Sequence, residues 1–146
     1  MIARREVSSA EVIEAHLQRI DAVNPALNAI VRVLDVEARA GAVAADRAVA
    51  AGAELGPLHG VPITVKENID LAGTPTTNSL VALAEAVVPI DAPVVSRMRA
   101  AGAIPIGRTN LPDLGLRGAT ESSLHGITRN PWNAALTAGG SSGGEA

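Results

Sequence analysis

The chain has 146 residues, 15 acidic and 12 basic side chains, a net charge of −3 and no cysteine. This excludes disulfides, thiolate metal sites and a cysteine nucleophile, and the lack of basic excess excludes the footprint of a nucleic-acid backbone binder. Hydrophobic residues make up 47%, yet there is one Trp and neither Phe nor Tyr, so a globular core must be aliphatic and base stacking is not a recognition mode.

The length suits about one domain. Arg4-Arg5 near the start is not followed by an apolar export core, because Glu6, Glu11 and Glu14 interrupt it. No run approaches the roughly 20 uncharged apolar residues of a membrane span. The expectation is a cytoplasmic protein with no membrane contact.

Ser8 and Glu11 form a capping-box pattern, and Ile13, Leu17 and Ile20 then share one helical face. Asn24-Pro25 is expected to end that helix. Leu27 to Leu34 reads as a short buried extended piece. An Ala-rich helix follows from Asp35 to about Ala51, with Gly52 as its stop. Residues 1–55 thus read as a mainly helical segment without a polar cluster suited to catalysis.

The pattern changes at Gly56-Pro57. Val61 to Val65 is short, apolar and β-branched, which predicts a buried strand. Asp91 and Pro93 mark the start of a helix, as N-cap and early helical proline, with Val94, Val95 and Met98 on its apolar side. Ala103 to Ile106 is a second short buried strand. Strand, helix, strand predicts a βαβ crossover and an α/β fold with a parallel or mixed sheet. From Gly107 onward the chain reads as loop.

Lys66 is the only lysine; every other basic side chain is an arginine. It closes an apolar stretch, and unlike arginine it can shed its proton when buried and act as a base. A strand-end lysine with its ammonium in water is the plainer alternative. The run Gly139-Gly140-Ser141-Ser142-Gly143-Gly144 can be a flexible linker, a phosphate cradle or a catalytic serine loop. The cradle lacks Gly-Lys-Ser/Thr, and composition alone favours the linker. His16, His59 and His125 have no mutual metal spacing and read as surface or turn residues bonding backbone.

Several ordered motifs resemble the amidase signature family. Gly56-Pro57-Leu58-His59-Gly60-Val61-Pro62-Ile63-Thr64-Val65-Lys66-Glu67-Asn68-Ile69, followed by Gly73-Thr74-Pro75-Thr76-Thr77, is similar to its lysine segment. Gly107-Arg108-Thr109-Asn110-Leu111-Pro112, Gly126-Ile127-Thr128-Arg129-Asn130-Pro131-Trp132-Asn133 and the Gly139 to Gly144 run match further segments in order. Lys66 precedes Ser141 by 75 positions, which suits the family.

The resemblance implies the N-terminal portion of the amidase signature fold: helices first, then a mixed, mostly parallel sheet with helices around it, incomplete at residue 146. Residues 56–146 would begin the catalytic core. It implies a Ser–cis-Ser–Lys triad with Lys66 as base and Ser141 as the bridging serine at a cis peptide. Gly139, Gly140, Ser142, Gly143 and Gly144 would be the supporting loop. The acylated serine of the family lies in a later Gly-Gly-Ser segment, so the nucleophile is expected beyond Ala146 and the chain alone is expected to be inactive. Gly115, Leu116, Arg117 and Gly118 are the candidate substrate contacts.

The implied activity is hydrolysis of a linear carboxamide, with a small-molecule amide as partner and no metal or cofactor. The glutaminase subunit of glutamyl-tRNA(Gln) amidotransferase is the alternative, and a non-catalytic truncated product or pseudoenzyme is the reading of another class. Protein partners would be a second copy in a homodimer or, in the alternative, amidotransferase partner subunits.

Overall fold

The computed structural model describes residues 1–146. Helix α1 (Ser9–Leu27) begins at a reciprocal cap: the Ser8 hydroxyl accepts from the Glu11 N–H, and the Glu11 carboxylate accepts from the Ser8 N–H at 2.8 Å. Asp46 adds a second cap from outside, accepting from the N–H groups of Ser9 and Ala10. Together these satisfy several of the donors that a helix start leaves open.

The helix runs through Pro25 and ends at Asn28, which is left-handed at φ 55°. The expected stop at Asn24-Pro25 is therefore corrected. Proline forfeits one bond in the final turn, while the Asn24 side chain accepts from Ala29 and Ile30 N–H and donates to the Ile30 carbonyl, shaping the exit.

Strand β1 (Ile30–Val33) follows, then α2 (Asp35–Ala50), β2 (Pro62–Lys66), α3 (Pro93–Ala100) and β3 (Ile104–Thr109). The sheet order is β1-β3-β2. β1 lies antiparallel to β3, and β2 lies parallel to β3 with α3 as the crossover. The fold is α/β with a mixed sheet, and β2 is an edge strand. A two-stranded hairpin, β4 (Glu121–Ser122) and β5 (Gly126–Ile127), and three short 3-10 helices, Ile2–Arg4, Val81–Leu83 and Asp113–Gly115, complete the regular structure.

Two differences from the expected elements have physical causes. Asp91 does not cap α3; its carboxylate accepts from the Ala72 N–H at 2.7 Å, and Ala92 occupies the cap position with Pro93 in the first turn. β3 extends three residues past Ile106, through Gly107, Arg108 and Thr109, all buried. Its polar residues read as loop in isolation, but the neighbouring strands supply the backbone partners that burial demands.

One core joins Ile13 and Leu17 of α1, Ala38 and Ala42 of α2, and Ile104 and Ile106 of β3. The small alanines let the two helices approach the sheet. Each large aliphatic buried there contributes on the order of 1.5–3 kcal/mol. A second cluster, Leu34, Val65, Leu71 and Val95, packs α3 against β2. The parallel pair is thus clamped by packing, with its C-terminal ends left for polar groups.

Those ends are shaped by a register shift between Ile63 and Thr64. Such an irregularity re-aims side chains. Beyond it, Lys66 pairs with Thr109, and Thr64 and Thr109 present their hydroxyls to one carboxylate, Glu145.

Candidate active site

Lys66 is the last residue of β2, at the C-terminal end of a parallel strand pair, where α/β sheets commonly place ligands. Its Nζ lies 2.9 Å from the Ser141 Oγ and 2.9 Å from the Ser142 Oγ. The Gly140–Ser141 peptide is cis. Burial lowers the proton affinity of Lys66, and the Glu145 carboxylate pulls it back upward. Burial wins, so Lys66 titrates below an ordinary lysine, the direction a base requires.

The Gly139–Gly144 run is a folded loop here, not a linker. The buried Thr120 hydroxyl donates to the Gly139 carbonyl at 2.9 Å and accepts from the Gly143 N–H at 3.0 Å, bridging its two ends. The Gly144 N–H reaches the Asn110 carbonyl at 3.3 Å. Glycine is required at close approaches: a Cβ on Gly140 would lie 2.7 Å from the Arg117 carbonyl oxygen, and one on Gly144 2.6 Å from that of Ala29. The Glu145 carboxylate accepts from Thr64 Oγ1 at 2.8 Å and Thr109 Oγ1 at 2.6 Å, tying the loop to both strands.

The segment named for substrate contact lies beside this loop. A Cβ on Gly115 would come within 3.8 Å of Ser141, and the backbone of Arg117 and Gly118 underlies Gly140. Leu116 points away from the core, 79% exposed. A cleft of about 280 Å³ runs along β2, lined by Thr64, Val65, Lys66, Ile69, Val94, Val95, Met98, Ser142 and Glu145. A hollow of about 330 Å³ near the N-terminus contains Glu11 and Asp46, but both carboxylates are engaged as helix caps.

A second polar cluster has no signature in the sequence. The Glu67 carboxylate, 1% exposed, accepts from Thr77 Oγ1 and meets His125 Nε2 at 2.6 Å. Burial by itself would raise the Glu67 carboxyl; the bonds from His125 and Thr77, with the charges of His125 and Arg108, outweigh it and hold it below the usual range. Arg108 is fully buried and donates to Thr74 Oγ1 at 3.1 Å. Burial lowers its proton affinity, but guanidinium stays charged. His125 lies 58 positions from Glu67, and only the β4–β5 turn brings them together. His16 and His59 bond the backbone carbonyls of Val12 and Ala45.

A family profile described as Amidase matches residues 11–146. The chain belongs to the amidase family. Among its amidase relatives is the indoleacetamide hydrolase of Bradyrhizobium diazoefficiens, 54% identical over 138 residues, which cover 94% of this chain and 26% of that protein. The corresponding subunit of the glutamyl-tRNA(Gln) amidotransferase of Synechococcus sp. (strain CC9605) is 45% identical over 141 residues, 97% of this chain and 29% of the relative. Among solved structures, a bacterial aryl acylamidase of the amidase signature enzymes family superimposes with a TM-score of 0.92 at 35% identity, covering 97% of this chain and 30% of that one. The chain thus spans less than a third of the length of these relatives. No helix is long and apolar enough to cross a membrane.

Proposed function

We propose that the protein carrying this chain is an amidase that hydrolyses a linear carboxamide, and that Lys66 and Ser141 are its base and bridging serine. The observation that carries this reading is the pair of 2.9 Å contacts from Lys66 Nζ to the Ser141 and Ser142 hydroxyls. Neutral Lys66 takes the proton of Ser141 as Ser141 takes the proton of an attacking serine, which adds to the amide carbonyl. The same proton then returns through Ser141 to the departing nitrogen, so ammonia or an amine leaves. Water deacylates the enzyme by the reverse relay.

In this reading Ser142 and the glycines hold the relay in place, and the Gly115–Gly118 segment borders the substrate. Apolar side chains along the cleft, Ile69, Val94 and Met98, suit an aryl or alkyl amide more than glutamine. The likeness to an indoleacetamide hydrolase, at 54% identity, points the same way.

The test is release of ammonia or amine by the full-length protein from indole-3-acetamide, acyl anilides, aliphatic amides and glutamine. Lys66→Met is expected to lower kcat by roughly 100–10,000-fold, the worth of a general base. Near-wild-type turnover in that variant removes Lys66 from the mechanism. Turnover confined to glutamine and dependent on partner subunits would establish the amidotransferase alternative instead.

A further inference from the structure

We propose that Glu145 is a positioning residue of this site: its carboxylate ties the Gly139–Gly144 loop to β2 and β3 and so keeps the Ser141 and Ser142 hydroxyls on Lys66. The inference deepens the amidase reading and rests on it for its catalytic meaning. Glu145 spans both strands, with one carboxylate oxygen on Thr64 Oγ1 at 2.8 Å and the other on Thr109 Oγ1 at 2.6 Å. Thr64 lies two residues before Lys66 on the same face of β2, and Thr109 is the residue paired with Lys66 across the strands. Ser142 and Glu145 are themselves joined by a turn, Glu145 N–H to Ser142 carbonyl at 3.0 Å. The two serines therefore stand over the lysine because the residue after Gly144 is fastened beneath them. A displacement of about 1 Å at a reacting group can cost on the order of 100-fold in rate.

Charge gives Glu145 a second effect. Among the groups around Lys66, Glu67 next to β2 is turned to Thr77 and His125, Arg108 on β3 is buried against Thr74, and α3 offers Val94, Val95 and Met98. Glu145 is the charged group that acts on the Lys66 ammonium, opposing the effect of burial. It limits how far the proton affinity of Lys66 falls.

The test reads Lys66 itself. In the full-length protein, 13Cε-lysine labelling compared with the Lys66→Met variant assigns the side-chain resonance of Lys66. Glu145→Gln retains an acceptor for one threonine and a donor for the other. It is expected to shift the Lys66 titration to lower pH and to leave amide exchange at Gly143 and Gly144 within a few-fold of wild type. Glu145→Ala is expected to accelerate exchange at those two amides by on the order of tenfold or more, as loss of hydrogen bonds to a charged group implies, with Ile106 in β3 unchanged.

Four results overturn the proposal: unchanged exchange in Glu145→Ala, acceleration equal at Ile106, no downward titration shift in Glu145→Gln, or free-peptide exchange at Gly143 and Gly144 in the wild type. These readouts need no turnover. Failure of the amidase reading would show in the Lys66→Met assay, and failure of the Glu145 role would show here.

Discussion

Replacing Thr120 by valine removes one hydroxyl and almost no volume, which isolates its hydrogen bonds from its packing. Thr120 is 1% exposed, and its Oγ1 serves two backbone groups 2.9 and 3.0 Å away. The Gly143 N–H is buried and has no water to turn to, so it incurs the full cost of an unmade bond, about 1–3 kcal/mol. The Gly139 carbonyl is only partly buried and can rehydrate, adding roughly 0.5–1 kcal/mol. The sum is about 1.5–4 kcal/mol. At about 2–4 °C per kcal/mol for a chain near this size, Tm should fall by roughly 3–16 °C in a circular-dichroism melt. Thr120→Ser restores the hydroxyl and should recover most of that loss. A Thr120→Val melt within about 1 °C of wild type would refute the reasoning, as would Thr120→Ser behaving like Thr120→Val.

Two further outcomes can be checked in the same chain. Gly140→Ala places a Cβ 2.7 Å from the Arg117 carbonyl and 2.9 Å from the Ala119 nitrogen, both backbone; overpacking of this kind costs about 1–3 kcal/mol, read as a lower urea midpoint. The Glu67 carboxyl is held below its usual range once burial is outweighed by His125, Thr77 and Arg108. Its contribution is therefore present above an unfolded value of ~4.3 and lost as pH falls through the depressed folded value. Acid melts should show that loss in wild type and a flatter pH dependence in Glu67→Gln; equal slopes would exclude Glu67 as the source.

Local signals are legible where they depend on neighbours in the chain. Ser8 and Glu11 announce the start of α1, and the two apolar runs either side of Pro93 announce the parallel pair, since capping and short-range hydrophobicity need no distant partner. The end of α1 escapes the Pro25 rule because that rule describes one lost bond, whereas Asn24 repairs the exit with its side chain. Asp91 resembles a cap on paper, but its actual partner, Ala72, lies 19 positions away. Arg108, Thr109 and Asn110 look like loop residues because polarity on paper implies water; here all three are buried and hydrogen-bonded to groups from other segments.

The sequence by itself singled out Lys66, the Gly-Ser run and, through ordered motifs, a family resemblance. Those features rest on residue type and spacing. Tertiary structure decided which groups meet: Lys66 with both serines across 75 and 76 positions, Glu67 with His125, Thr120 with two glycines, and Glu145 with two strands. The register shift in the parallel pair and the hairpin turn set those meetings. Backbone geometry summed over many residues places a side chain to within a hydrogen bond, and no local pattern contains that sum.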